Sequence, residues 1–160
     1  MKRMFMMRYL SMVMTVLAVL CLTGCHKETE EDKIRNMISS LQKAVKNKDT
    51  GDVLGQLSKA YRDSQGNDYN GIKGLLLFYF MKHRSVNVYV PSLDISVDNN
   101  AARASFQAVL TGAGTDQGLL PEAFGVYEFN LVLQKESGAW KITSAKWERM
   151  GDGPVMGGVS

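Results

Sequence analysis

The chain has 160 residues, of which 45% are hydrophobic, and its 19 basic and 16 acidic side chains give a net charge of +3. This length is enough for one packed core and too short for two ordinary domains. The excess charge comes from Lys2, Arg3 and Arg8, because the first 24 residues contain no acid. The remaining chain is charge-balanced and lacks the basic footprint that nucleic-acid binding requires, so we expect no nucleic-acid partner.

Residues 1–24 have the pattern of a secretory signal peptide. A basic start is followed by an apolar run from Tyr9 to Leu22 and by small residues. The run is shorter than the ~20 residues that span a bilayer. The alternative interpretation is an uncleaved N-terminal transmembrane anchor.

The run Leu22-Thr23-Gly24-Cys25 resembles the lipobox of bacterial lipoproteins. This resemblance implies cleavage between Gly24 and Cys25, with diacylglycerol on the Cys25 thiol and an acyl chain such as palmitate on its new amino group. Two or three acyl chains hold a protein firmly on a membrane, whereas one holds weakly. His26, in place of an aspartate, suggests the outer membrane facing the periplasm if the source is Gram-negative. Cys21 leaves with the leader, so a disulfide-free core is expected.

Helical periodicity dominates the first half of the mature chain. Thr29 and Asp32 have capping-box spacing, and apolar residues from Ile34 to Val45 recur in steps of three and four. A short second helix is predicted at Gly51–Leu57, and Ser58–Asn70 is polar and rich in turn residues. A third helix is predicted after Asn70, carrying Leu75 to Met81 and ending near His83. A buried strand is the alternative, but Lys73, Lys82 and the length of the run favour a helix. Because it is apolar all round, we expect it to be largely buried.

From Val86 the periodicity changes to two, which indicates strands. Predicted strands cover Val86–Val90, Leu93–Val97, Ala102–Leu110, Tyr127–Leu133 and Ala139–Trp147, with a Gly-rich loop at Gly112–Gly125. Asp98-Asn99-Asn100 marks a hairpin turn. The order predicts an α+β fold in which N-terminal helices pack on one face of an antiparallel sheet of about four strands. The predicted divisions are a cleaved signal (1–24), a lipidated tether (25–32), one domain (33–149) and a flexible tail (150–160).

This domain resembles the nuclear transport factor 2-like (NTF2-like) superfamily, also called cystatin-like α+β. The resemblance rests on the helix Ile34–Val45 followed by Asn47-Lys48-Asp49, on Leu57–Asp63, and on Trp140-Lys141-Ile142 with Trp147. It implies a cone in which a curved sheet wraps a long helix and leaves a pocket at the wide end. Members include ketosteroid isomerase, dehydratases and polyketide cyclases, and also non-catalytic transport and assembly modules.

An isomerase or cyclase in such a cone needs a carboxylate or His base and a hydroxyl that stabilises an oxyanion. The candidate bases are Asp63, Asp68, Asp94 and Glu128, and the candidate donors are Tyr61, Tyr69, Tyr79, Tyr89 and Tyr127. We predict a pocket lined by Tyr61, Asp63, Tyr69, His83 and Tyr127, with no catalytic residue assigned. Structural alternatives exist for several candidates: Asp63 as a turn cap, Tyr61 as core, Asp94 and Glu128 as solvent-facing, and His83 as a helix C-terminal cap.

Two functions remain open from the sequence. The first is a non-catalytic binding or assembly module, anchored by the lipid on Cys25, that takes an envelope protein partner or a small apolar ligand and dimerises through its sheet. The second is an isomerase- or cyclase-like enzyme that acts on a small apolar carbonyl compound. Two histidines, one of them beside Cys25, predict no metal site, and no cofactor is expected.

Overall fold

The computed structural model describes residues 28–114 and 122–151. Within these ranges the chain forms three helices followed or interleaved by six strands. They are α1 (Glu30–Lys46), α2 (Thr50–Gly55), β1 (Leu57–Asp63), α3 (Tyr69–Lys82), β2 (His83–Tyr89), β3 (Leu93–Asp98), β4 (Ala101–Gly114), β5 (Glu122–Glu136) and β6 (Ala139–Met150). The leader, Gly24, Cys25 and the tail from residue 152 lie outside the described residues, as do residues 115–121 of the predicted Gly-rich loop.

The predicted capping box opens α1. The Thr29 hydroxyl accepts from the Asp32 amide, and the Asp32 carboxylate accepts from the Thr29 amide, so two N-terminal donors are satisfied. Glu30, Glu31 and Asp32 form the acidic first turn of this helix, where negative charge is favoured. The buried face of α1 comprises Ile34, Met37, Ile38 and Ala44.

The strands form one mixed sheet in the order β1-β6-β5-β4-β2, with β3 paired to the other half of β4. The α+β architecture is confirmed, but the expectation of about four antiparallel strands was wrong. The missed strand is β1, which pairs parallel to β6 at the sheet edge. Its segment reads as polar and turn-rich because its exposed positions, such as Lys59 and Arg62, are charged and a turn follows directly.

Register shifts curl the sheet around α1. They occur between β4 and β5 after Leu110, and between β5 and β6 after Val132. Such bulges bend a strand and increase its twist, which turns one face of the sheet inward. The concave face and α1 share a core that includes Ile34, Ala104 and Leu133, each essentially inaccessible to solvent. The result is a half-barrel packed around one helix.

Helix α3 differs from expectation because none of its residues is fully buried. Phe78 is 55% exposed and Met81 is 75% exposed. The helix begins at the Asp68 side chain, which accepts from the amides of Asn70 and Gly71. The prediction of a largely buried helix was wrong, because the sheet offers α3 only one side to pack on.

A lysine side chain binds the C-terminus of α3. Lys48 Nζ lies 2.9 Å from the Phe80 carbonyl oxygen and 2.5 Å from that of His83. A cation at this end satisfies helix carbonyls that have no partner in the helix itself. His83 is the C-cap residue of α3, and its amide donates to the Tyr79 carbonyl oxygen. It also opens strand β2 and is only 7% exposed.

Candidate functional site: an apolar pocket between helix α3 and the sheet

An apolar cavity of about 340 Å³ lies between α1, α3 and the concave face of the sheet. This volume is in the range of small-molecule sites. Helix α1 contributes residues such as Ile38 and Leu41, and α3 contributes the side that faces the sheet. The α3 residues of the wall are Ile72, Leu75, Leu76, Tyr79 and Phe80. These residues are only partly buried because they line an open cavity.

A row of aromatic side chains forms the sheet wall of the pocket. Phe106 and Phe129 are cross-strand partners on β4 and β5, and their ring centroids are 5.4 Å apart. Phe129 is paired in turn with Trp147 on β6, at 6.5 Å, and Tyr127 lies 6.1 Å from Trp147. Cross-strand pairs of this kind hold rings in fixed positions on one face. The row gives the cavity a rigid, flat, apolar side.

Three of the predicted pocket residues are brought together here. Tyr61, His83 and Tyr127 all line the cavity. Tyr61 is 4% exposed, and burial, with a smaller contribution from the charge of Asp63, raises the pKa of its phenol. The His83 imidazole stacks on the Tyr79 ring, with centroids 5.9 Å apart. Tyr61 therefore remains a neutral hydroxyl in an apolar wall.

Asp63 and Tyr69 were predicted for the pocket and do not line it. Asp63 accepts from the amides of Gln65 and Asn67 and from the Asn67 side chain, so it closes the turn after β1. This is the structural alternative for Asp63, and it explains the misassignment: carboxylates near turn residues bond to local backbone. Tyr69 lines a separate polar cleft beside β1, where Lys59 Nζ lies 3.7 Å from its ring centroid.

The other candidate bases also lie away from the cavity. Asp68 caps α3, and the Gly71 amide, followed by that of Asn70, lowers the pKa of its carboxyl. Asp94 and Glu128 are exposed on their strands, as their polar positions predicted. Tyr89 is 65% exposed at the end of β2. Among the described wall residues, therefore, none is a carboxylate.

The aromatic row as a unit, and Gln42 as a polar group of the wall, were not predicted from the sequence. The signal for the row was present: Phe106, Phe129 and Trp147 occupy inward positions of their strands. Their register could not be read, because two bulges shift the pairing. No group of three or more candidate metal ligands occurs in residues 28–114 and 122–151. Over the same ranges, the helices are too short or too polar to cross a membrane.

No protein-family sequence model and no curated protein sequence matches the chain. Solved structures do. An NTF2-like protein with a cystatin-like fold from Novosphingobium aromaticivorans is 10% identical with a TM-score of 0.65, covering 89% of this chain and 90% of its own. An NTF2-like superfamily protein from Salmonella enterica is 18% identical with a TM-score of 0.64, covering 79% and 94%.

A candidate scytalone dehydratase from Novosphingobium aromaticivorans is 12% identical, with a TM-score of 0.66, and the match covers 75% of this chain and 83% of that one. At these identities the likeness concerns the fold, and one fold carries many activities. The described part of the chain therefore has the NTF2-like, cystatin-like α+β fold.

Proposed function

We propose that the chain is a lipid-anchored protein of the bacterial cell envelope whose domain binds a small apolar ligand without acting on it chemically. One observation carries the binding proposal: an apolar cavity whose described wall combines a rigid aromatic row with a few hydroxyl and imidazole groups. Pockets with mostly apolar walls and few polar groups bind through shape and orient their ligand through those groups.

The electrostatics of the wall favour binding over acid–base chemistry. General acid–base catalysis needs a group whose pKa lies near the working pH and which reaches the reacting atom. The Tyr61 phenol has a raised pKa and stays protonated, so it serves as a hydrogen-bond donor. Asp63 is the candidate base nearest to Tyr61 in the sequence. Three hydrogen bonds hold its carboxylate in the turn after β1.

Ligand binding is tested by filling the cavity. Ala108 is 1% exposed and lines the pocket, whereas its neighbour Gln107 points to the other side of β4. In a chain that begins at Glu28, which retains the described core, Ala108→Phe should weaken binding of an apolar fluorescent probe at least ~10-fold, the effect of about 1.4 kcal/mol. Gln107→Phe is the matched control and should bind as the parent does. Equal binding by both variants would place the probe elsewhere.

Trp147 offers an independent reading of the same site, because it lies in the cavity wall while Trp140 bonds to Glu30. Probe binding should quench tryptophan fluorescence in the parent chain and in Trp140→Phe. In Trp147→Phe the quenching should disappear while the Ala108→Phe effect on affinity remains. Quenching that persists without Trp147 would argue against this pocket.

The anchor is tested at Cys25. In a bacterial host, Cys25→Ser should leave unprocessed precursor and abolish labelling by radioactive palmitate. Serine differs from cysteine by one atom, so the variant should still be exported, and its export is the internal control. Labelling of the variant at the parent level would refute lipidation at this residue.

A second candidate is an isomerase-, cyclase- or dehydratase-like enzyme acting on a small apolar carbonyl compound. It is favoured by the imidazole of His83 and the hydroxyl of Tyr61 in one apolar cavity, and by the fold shared with a candidate dehydratase. An enzyme of this class would exchange α-protons of bound ketones with D₂O, and His83→Gln would stop the exchange. Exchange that the parent chain catalyses and His83→Gln does not would replace the binding proposal with this one.

A further inference from the structure

Helix α3 is apolar on two sides, and only one of them faces the cavity. Residues Ile72, Leu75, Leu76 and Phe80 line the pocket. The opposite side, here called the outer face of α3, consists of the exposed residues Lys73, Gly74, Leu77, Phe78, Met81 and Lys82. Spacings of three and four place these residues on one continuous stripe. An exposed apolar stripe of this kind marks a contact surface.

The charged side chains of α3 and of the start of β2 are of one sign. From Tyr69 to Tyr89 the chain contains Lys73, Lys82 and Arg84 and no Asp or Glu. All three cations are exposed, although residues 25–160 as a whole are charge-balanced. The lysines stand at the two ends of the stripe, and Lys82 Nζ lies 5.8 Å from the Phe78 ring centroid. Lysines beside apolar side chains can keep their charge at the lipid headgroups while the apolar groups enter the headgroup–acyl boundary.

We infer that the outer face of α3 lies on an anionic lipid surface, with Leu77, Phe78 and Met81 in the headgroup–acyl boundary and Lys73 and Lys82 at the lipid phosphates. This goes beyond ligand binding and depends on the proposed anchor only for bringing the domain to a membrane. A second copy of the chain is a poor occupant. A symmetric contact would bring the same cations of both copies together.

The geometry of the domain permits the anchor and the outer face to reach one membrane together. Lys48, two residues beyond α1, binds the C-terminus of α3, so the C-terminal end of the outer face lies near the C-terminal end of α1. Cys25 precedes the other end of α1 by only a few residues. Helix α1 has 17 residues, which corresponds to about 25 Å. Simultaneous contact of the anchor and the outer face therefore requires α1 to lie along the bilayer surface.

The test is photo-crosslinking of the full chain in bacterial cells. Phe78→benzoylphenylalanine and Met81→benzoylphenylalanine place the reactive group in the outer face at exposed positions. Val132→benzoylphenylalanine is the matched control, because Val132 is an apolar residue, 39% exposed, on the convex side of β5. Lipid adducts at positions 78 and 81, and none at 132, are the expected result. A cross-linked dimer, an adduct to another protein, or no adduct at positions 78 and 81 overturns the inference.

The charge requirement is tested with the full chain purified and reconstituted into vesicles. Adding phosphatidylglycerol to phosphatidylcholine vesicles should raise the lipid adduct at position 78, and Lys82→Gln should lower it about fivefold in the mixed vesicles. Arg103→Gln, an exposed cation on the convex side of the sheet, should leave the yield unchanged. Equal yields in both vesicle types overturn the anionic specificity. Palmitate labelling at Cys25, measured in the same samples, separates failure of the anchor from failure of this contact.

Discussion

Helices α1 and α3 pack on the same sheet but are built in opposite ways. Helix α1 buries Ile34, Met37, Ile38 and Ala44 on one side and presents polar side chains on the other. Helix α3 fully buries no residue, although its sequence is the more apolar of the two. The difference teaches that apolar content does not measure burial: α1 fills the half-barrel, whereas α3 closes a cavity and leaves its far side uncovered.

The largest expected effect is the loss of stability when a large apolar side chain is shortened, and it should differ between the two helices. Ile34 is inaccessible to solvent, so Ile34→Ala should lower the free energy of unfolding by about 2–5 kcal/mol. Leu77 on α3 is 44% exposed, and Leu77→Ala should change it by no more than about 0.5 kcal/mol. Urea unfolding followed by tryptophan fluorescence measures both. A similar cost for the two variants would contradict the contrast between the helices.

The second effect concerns what holds α3 in place. Lys48→Met keeps the side-chain stem but removes the ammonium from the Phe80 and His83 carbonyls. Hydrogen bonds to a charged group are worth about 1.5–3 kcal/mol, and that loss of stability is expected. The substitution should accelerate amide hydrogen exchange more in α3 than in α1. Lys46→Met, at an exposed position two residues earlier, is the control and should change stability by less than about 0.5 kcal/mol.

Local patterns predicted the elements of α1 and the β3–β4 hairpin. The Thr29–Asp32 capping box and the steps of three and four in α1 need only neighbours in sequence. The turn at Asp98-Asn99-Asn100 needs a residue that tolerates a positive φ, and Asn99 has φ 52°. These signals lie within one or two turns of chain, so they can be recognised in the sequence without knowledge of the fold.

Features that depend on distant contacts were not predictable in this way. Strand β1 is defined by its parallel pairing with β6, some eighty residues later, and its own sequence resembles a loop. The burial of α3 depends on whether the sheet covers one side or two. The pocket membership of Tyr61 and Tyr127 follows from how their strands are placed in the curled sheet. Asp63 is excluded because it bonds to its own turn, and Tyr69 lies at the start of α3 beside a separate cleft.

A third experiment sharpens the comparison within α3. Gly74 lies in the middle of this helix, and a Cβ built there meets no atom within 4 Å. Gly74→Ala should therefore stabilise the fold by about 0.5–1 kcal/mol, because alanine restricts the unfolded chain. Gly125→Ala is the contrasting control: its φ is 125° and the new Cβ would lie 2.8 Å from Arg149 Nε, so it should destabilise. Destabilisation by Gly74→Ala would mean that the outer face of α3 is covered within the monomer.

The smallest expected effect concerns Glu30 at the N-terminal end of α1. It is measured as a pH dependence of stability. The Glu30 carboxylate accepts from Lys33, Lys135 and Trp140 at 2.8 Å each. Hydrogen bonds from Lys135, then Lys33 and Trp140, lower its pKa from 4.5 to about 2. Because this pKa is lower in the folded state, its contribution is complete above pH 4.5 and is lost as the pH falls from 4.5 towards 2.

The urea midpoint of the parent chain should therefore fall more steeply over that pH interval than the midpoint of Glu30→Gln. Glu31→Gln makes the same change of charge one residue later in α1 and should follow the parent profile. Trp140 fluorescence reports the transition at the contact itself, since its indole nitrogen donates to Glu30. Helix α3, by contrast, contains no acid. Parallel profiles for the parent and Glu30→Gln would mean that the buried face alone positions α1, without a contribution from the Glu30 cluster.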